Sequence, residues 1–183
     1  DSIPGGTGGN NMFHYSNGSL MDGLTVSASY TPSDGTTEVE SSSDYGIKFT
    51  GVEGLTIGFA TGEYDKSATT LGLDHSTMYA TYAYGSFTVG YQSSEIDGPT
   101  AAASDESDSW AVSYAVSDDF SVSYGQHEYE QGTNANAQES SGFSASYTMG
   151  GTSIKAAFNS TDNIRTTASN DEDSFEIAVS FAF

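Results

Sequence analysis

The segment WAVSYAVSDDFSVSYGQ, residues 110–126, contains two runs of alternating residues on either side of a short polar turn. In both runs large apolar residues occupy every second position and Ala or Ser stands between them. Strict alternation sends successive side chains to opposite faces of a β-strand. The segment therefore predicts an antiparallel hairpin with one apolar, largely aromatic face, formed by Trp110, Val112, Tyr114, Val116, Phe120, Val122 and Tyr124.

The same alternation recurs along the chain and predicts about ten strands, with a weaker one at NMFHY, residues 11–15. Short turns at 52–54, 85, 117–119 and 150–151 alternate with long polar connections at 31–44, 66–74, 97–108, 132–139 and 162–173. The other alternating stretches are LTVSASY (24–30), YGIKF (45–49), LTIGF (55–59), MYATYAY (78–84), FTVGY (87–91), FSASYTM (143–149), SIKAAF (153–158) and DSFEIAVSFAF (173–183).

Composition excludes several classes of protein. The 183 residues carry 25 acidic and 4 basic side chains, a net charge of -21. Such a charge is typical of disordered chains, but an aromatic content of 13% is not. Four basic residues cannot form a nucleic-acid-binding patch, and without cysteine there is neither a disulfide framework nor a thiolate metal site.

The second face of the strands indicates their surroundings. It consists mainly of Ser, Thr, Gly and Ala, while most of the acidic residues lie in the long connections. An apolar face backed by a small polar face, with short turns at one end and long loops at the other, predicts a transmembrane antiparallel up-and-down β-barrel. A closed barrel satisfies every backbone hydrogen bond inside a bilayer. The alternative, a soluble β-sandwich or β-helix, leaves the long–short alternation of the connections unexplained.

Five segments carry a resemblance to a known family: TGVEGLTIGFATGEY (50–64), YAYGSFTVGYQSSEID (82–97), WAVSYAVSDDFSVSYGQ (110–126), ESSGFSASYTMGGTSI (139–154) and IAVSFAF (177–183). In their order and spacing they resemble the porins of alphaproteobacteria, within the general trimeric porins of Gram-negative outer membranes. The resemblance implies a sixteen-stranded, lipid-embedded homotrimer, inserted by the barrel-assembly machinery, which reads a terminal Phe, here Phe183. It also implies a water-filled channel for passive diffusion of ions and small hydrophilic solutes, without enzymatic activity.

Counting strands backwards from Phe183 under this resemblance makes the chain the C-terminal portion of a longer porin. Residues 1–10 are then the tail of the pore-constricting loop, and residues 11–183 supply strands, short periplasmic turns and long external loops. The alternative is a self-contained ten-stranded barrel with an omptin-like enzymatic role or an adhesive or structural role. It requires that NMFHY is not a strand. The enzyme requires an Asp/His pair, and the one close pair in the sequence, Asp74 and His75, we interpret as an accidental adjacency.

Alternation also predicts which side chains line the pore. Lys48 and Lys155 point inward, and His127 faces the same way as Ser121 and Ser123. Gln92 and Glu176 complete the set of predicted pore-lining residues. The alternative interpretation is that these side chains are fully solvated and have little influence on permeating ions.

Two acidic triplets in the long connections are candidates for Ca²⁺ or Mg²⁺, which prefer carboxylate oxygens. Neither triplet has the spacing of a calcium-binding loop, so flexible solvated loops are the favoured interpretation, and we expect no other cofactor. Even without a metal they would make the pore mouth negative and favour cations. The triplets are Asp105, Glu106, Asp108 and Asp171, Glu172, Asp173.

Overall fold

The computed structural model describes residues 12–33, 41–65 and 72–182. These residues form eleven strands and two short 3₁₀ helices, Ala101–Ala103 and Ile164–Thr166. No helix in the described residues has the length and apolarity needed to cross a membrane. The strands are β1 (Phe13–Met21), β2 (Leu24–Thr31), β3 (Ser41–Val52), β4 (Leu55–Asp65), β5 (Leu73–Tyr84), β6 (Phe87–Asp97), β7 (Asp105–Ala115), β8 (Phe120–Gln131), β9 (Gln138–Met149), β10 (Thr152–Asp162) and β11 (Glu172–Phe181).

All eleven strands belong to one sheet in which hydrogen-bonded neighbours follow one another in chain order from β1 to β11. This is the antiparallel up-and-down topology that the alternation predicts. The weak strand is real and longer than predicted, because β1 extends to Met21 and pairs with β2 along its length. The described residues therefore form eleven strands, not the even ten that the self-contained barrel requires.

The predicted short turns are confirmed, and Asp22–Gly23 adds one between β1 and β2 that was not predicted. Gly54 and Gly150 lie in two of these turns with φ of 75° and 58°. A positive φ is the conformation that tight hairpins with the twist of the flanking strands require, and glycine adopts it without steric cost.

The chain divides into two compact units. The first comprises residues 1–80, 92–106 and 131–133, and the second comprises residues 81–91, 107–130 and 134–183. In the first, β1 to β4 pair in succession, with Leu24 opposite Phe49 on the apolar face and Thr25 opposite Lys48 on the polar face. In the second, an aromatic row crosses β8 to β11 through the opposed residues Tyr124, Phe143, Phe158 and Phe175.

Burial in the described residues is the reverse of that in a globular domain. No hydrophobic side chain is buried, whereas Phe175 and Phe181 are 67% and 61% exposed. The buried residues are small and polar, among them Ser42, Thr77 and Thr166. An apolar face of this kind is stabilised by contact with lipid tails, since exposing it to water would carry the full cost of hydrating apolar surface.

Candidate functional site

The polar face of the first unit carries a charged row near the ends of the strands that bear the long connections. Ser29 on β2 lies opposite Asp44 on β3, which lies opposite Gly62 on β4. His75 on β5 reaches across Gly62, so that its Nε2 lies 3.1 Å from Asp44 Oδ1. Ser29 Oγ donates a hydrogen bond of 3.1 Å to Asp44 Oδ2. We call Ser29, Asp44, Gly62 and His75 the Asp44 row.

Glycine at position 62 is a steric condition for this row. A Cβ added to Gly62 would lie 2.7 Å from His75 Nε2 and 2.8 Å from the carbonyl oxygen of Ser43, besides colliding with Asp44 Oδ1. In the sequence, Asp74 is the acidic residue next to His75, an adjacency that we interpret as accidental. Neighbouring residues of a strand point to opposite faces, and the partner of His75 is Asp44, 31 positions away.

Lys48 and Gln92, both predicted to line the pore, border the same recess on the polar face of the first unit. Its volume is about 670 Å³. His14 and Tyr79 border it as well, and its walls include the small residues Ser27, Gly46 and Ala60. We call this space the Lys48 recess. Tyr79 was not singled out from the sequence, although an aromatic residue at a polar position of an alternating strand is the signal that could have identified it.

In the second unit, Lys155 and Glu176 border a recess of about 400 Å³ together with Ser144 and Ser146. Lys155 lies opposite Ala178, and Glu176 lies opposite Ala157, which makes the two charged residues diagonal neighbours on one face. Diagonal neighbours across a sheet are about 7–8 Å apart, a separation that long side chains such as Lys and Glu can span. No ion pair between them is formed in the described residues.

His127 is not an isolated histidine. Its Nδ1 lies 2.8 Å from Ser109 Oγ on β7, and the ring is half-buried. The sequence placed His127 on the polar face but did not reveal Ser109 as its partner. The hydrogen bond links a side chain of β7 to one of β8 and fixes the orientation of the His127 ring.

The acidic triplets do not lie where the sequence predicts. Asp105, Glu106 and Asp108 are inside β7, and Glu172 and Asp173 begin β11. Only Asp171 stays in the connection, where its Oδ1 accepts a hydrogen bond of 3.0 Å from Asn163 N. Strand pleating directs adjacent carboxylates to opposite faces. Within the described ranges no three acidic or histidine side chains are grouped so that they could hold a metal.

A different acidic feature was missed from the sequence. Glu139 on β9 lies directly opposite Glu128 on β8 and Asp162 on β10. These three carboxylates share the face of Tyr124, Phe143 and Phe158, at the strand ends that carry the long connections. They border a recess of about 250 Å³ beside Trp110, whose Nε1 donates to Gln126 Oε1 at 3.1 Å. Sequence spacing alone could not reveal this row, because it depends on register.

Two further predictions fall outside the described residues. Phe183, the candidate assembly signal, and residues 1–10, the candidate loop tail, are not described by the structure. They stay predictions.

An antiparallel up-and-down sheet with apolar side chains on one face and small polar ones on the other defines the class of protein as one that crosses a membrane with β-strands. The model of the family described as Gram-negative porin matches residues 2–143, and the chain belongs to that family. Membership places the chain in the outer membrane of a Gram-negative bacterium. No curated protein matched the chain.

Several solved structures share the fold. An anion-selective porin from Comamonas acidovorans matches with a TM-score of 0.75 and 13% identity, over 95% of this chain and 60% of that one. OmpF of Salmonella typhi, in complex with daunomycin, matches with a TM-score of 0.72 and 8% identity, over 92% and 61%. A porin refined at 1.8 Å resolution matches with a TM-score of 0.68 and 19% identity, over 94% and 60%. The chain spans less than two-thirds of each of these structures.

Proposed function

We propose that this chain is the C-terminal portion of a general diffusion porin, which forms a water-filled channel for ions and small hydrophilic solutes. The observation that carries the proposal is the division of most strands into an exposed apolar face and a face of mainly small polar residues. Lipid solvates the first face, and water in the lumen solvates the second.

Five side chains on the polar face of the sheet are the groups that interact with permeating ions: Lys48, Gln92, Lys155, Glu176 and His127. They project from a face that consists mostly of small residues. The 25 acidic side chains far outnumber the 4 basic ones and leave a net charge of -21, so we expect a mild preference for cations. The carboxylates of the two acidic triplets contribute to this potential.

The test is conductance of the intact protein, purified from the outer membrane, in planar bilayers. We expect stepwise ohmic conductance and a reversal potential in a KCl gradient that indicates cation preference. Lys48→Glu and Lys155→Glu should each increase that preference, and Lys48→Gln should increase it less than Lys48→Glu. An absence of conductance would refute the channel, whereas anion preference would refute only the assignment of selectivity.

We further propose that the protein is a homotrimer and not an enzyme. The Asp44–His75 pair is the one feature described above that favours the alternative of an omptin-like enzyme, because such an enzyme requires an Asp/His pair. In the Asp44 row, however, the serine hydroxyl donates to the carboxylate and not to the imidazole. A serine nucleophile is activated only where the imidazole accepts its proton, so the Asp44 row is not a serine triad, and a role of the Asp/His pair itself is what a peptidase assay tests. We expect no peptidase activity that is lost in His75→Ala, and a trimeric mass in detergent by light scattering.

A further inference from the structure

The Lys48 recess differs in charge from the rest of this acidic chain. No carboxylate borders it in the described residues, while one lysine and one histidine do. Asp44, two residues beyond Gly46 on the same face of β3, is already held by Ser29 and His75. Lys48 forms no ion pair with any described residue. The recess therefore presents an uncompensated ammonium group in a protein with a net charge of -21.

Tyr79 lies at the side of this recess because Gly58, which has no side chain, leaves room for its ring. Lys48 lies directly opposite Gly58 on β4, and the ring of Tyr79 covers Gly58. A Cβ on Gly58 would lie 2.5 Å from Tyr79 Cζ and 2.8 Å from its hydroxyl oxygen, so any larger residue would displace the ring. Gly58 is buried and Tyr79 half-exposed, which leaves part of the aromatic ring beside Lys48 available for contact.

Polar groups with spare hydrogen-bonding capacity complete the surroundings. Gln92 Nε2 donates to Ser94 Oγ at 3.2 Å, an interaction that leaves its second amide hydrogen and its carbonyl oxygen available. Thr77 is committed to Ser93 O and Ser94 Oγ, at 3.2 and 2.8 Å, and forms a rigid part of the wall. The remaining wall consists largely of small residues, such as Gly46 and Ala60, that leave room for a solute.

We propose that the Lys48 recess is an affinity site for sugar acids, solutes that combine a hydroxylated six-membered ring with a carboxylate. Lys48 binds the carboxylate, the C–H surface of the ring packs on Tyr79, and Gln92 hydrogen-bonds to ring hydroxyls. A volume of about 670 Å³ lies in the range of small-molecule sites, roughly 300–1,000 Å³. Because the recess is open to the lumen, binding is weak and reversible, as passage through a channel requires.

This site gives the proposed channel a solute class and in that sense rests on the proposed function, but its binding is measurable without conductance. The primary test is calorimetric titration of the intact protein in detergent with glucuronate, with glucose and acetate as probes that each lack one of the two features. We expect glucuronate to bind at least tenfold more tightly than either, a preference equivalent to about 1.4 kcal/mol. Equal or undetectable binding of all three would overturn the proposal whether or not the protein conducts.

Four variants separate the contributions. Lys48→Gln should weaken glucuronate binding about tenfold, because a charge-assisted contact is lost. Tyr79→Ala should weaken it severalfold with the charge kept, and Gly58→Ala should do the same by displacing the ring. Lys155→Gln, which removes the lysine of the other recess, is the matched control and should leave glucuronate affinity unchanged. A loss in Lys155→Gln equal to that in Lys48→Gln would show a general charge effect and overturn the site.

Circular dichroism establishes that each variant keeps its strand content. If Gly58→Ala does not fold, Tyr79→Ala still tests the ring, since it removes atoms and adds none. In bilayers, glucuronate should interrupt the current of the parent channel and interrupt it less in Lys48→Gln. A conducting channel without such interruptions would refute the affinity site and leave the channel function standing.

Discussion

His75 and Asp44 are joined by a 3.1 Å contact between Nε2 and Oδ1 although β4 lies between their strands. The contact passes over Gly62, which contributes no side chain to the polar face. A single missing side chain thus allows two strands that share no backbone hydrogen bonds to be linked directly. The exposed fractions, 15% for the His75 side chain and 32% for that of Asp44, indicate that the link is partly shielded from water.

Gly62→Ala should destabilise the protein. The new Cβ would overlap His75 Nε2 and Asp44 Oδ1, and relief of the overlap requires the two side chains to separate. Overpacking of this kind costs about 1–3 kcal/mol. Urea denaturation of the protein in micelles, followed by circular dichroism, measures the change. Gly18→Ala is the matched control, because its Cβ would meet its nearest neighbour, Thr25 Oγ1, at an ordinary 3.4 Å. Equal stability of the two variants would contradict the steric account.

Asp44→Asn and His75→Gln should be energetically coupled. Each replacement keeps the approximate size and some hydrogen-bonding capacity but removes one partner of the Asp44–His75 hydrogen bond. For a pair of partial exposure, a double-mutant cycle should yield about 0.5–1 kcal/mol of interaction energy. The same cycle between Asp44→Asn and His127→Gln should yield none, since Ser109 and not Asp44 is bonded to His127. An interaction energy of zero for the first cycle would show that the contact contributes nothing to stability.

Trp110 should report the lipid face of the sheet. Its side chain is 40% exposed on the apolar face, tilted against Tyr124 at 5.6 Å. After reconstitution into bilayers, the emission of Trp110 is the difference between the fluorescence of the parent protein and that of Trp110→Phe. We expect phospholipids brominated on their acyl chains to quench this emission, and iodide in the water to affect it little. The opposite face supplies the control: in Trp110→Phe combined with Ala157→Trp, iodide should quench and brominated chains should not. Identical quenching at both positions would refute the assignment of the two faces.

Glu139→Gln should stabilise the protein. Glu139 is directly opposite Glu128 and Asp162, and opposed like charges destabilise a sheet by about 0.2–1 kcal/mol for each pair. The gain should shrink at high salt, because the three carboxylates are exposed and screening weakens their repulsion. Thermal unfolding at 20 mM and 500 mM NaCl measures both effects. Asp118→Asn, in the turn between β7 and β8, should change stability at neither salt concentration.

Much of the fold could be predicted because each strand carries its own signal. The alternation within each segment located ten strands and their two faces. The polar connections between the segments located the ends of these strands. The prediction was incomplete where the signal is diluted: in β1, Asn17 and Gly18 interrupt the stripe, and the register with β2 shifts between Asn17 and Met21. The acidic triplets were misplaced for a related reason, since charged residues in β7 and β11 resemble loop residues when neighbours are unknown.

By itself, the sequence determined the class of fold, the two faces of each strand and the membership of Lys48, Gln92, His127, Lys155 and Glu176 in the polar face. These properties depend on local periodicity, which a strand displays wherever it lies. Tertiary structure alone decided which residues meet: Asp44 with His75 over Gly62, Tyr79 over Gly58, Ser109 with His127, and Glu128, Glu139 and Asp162 in one row. Register between strands brings these groups together, and register is a relation between distant segments that no single segment contains.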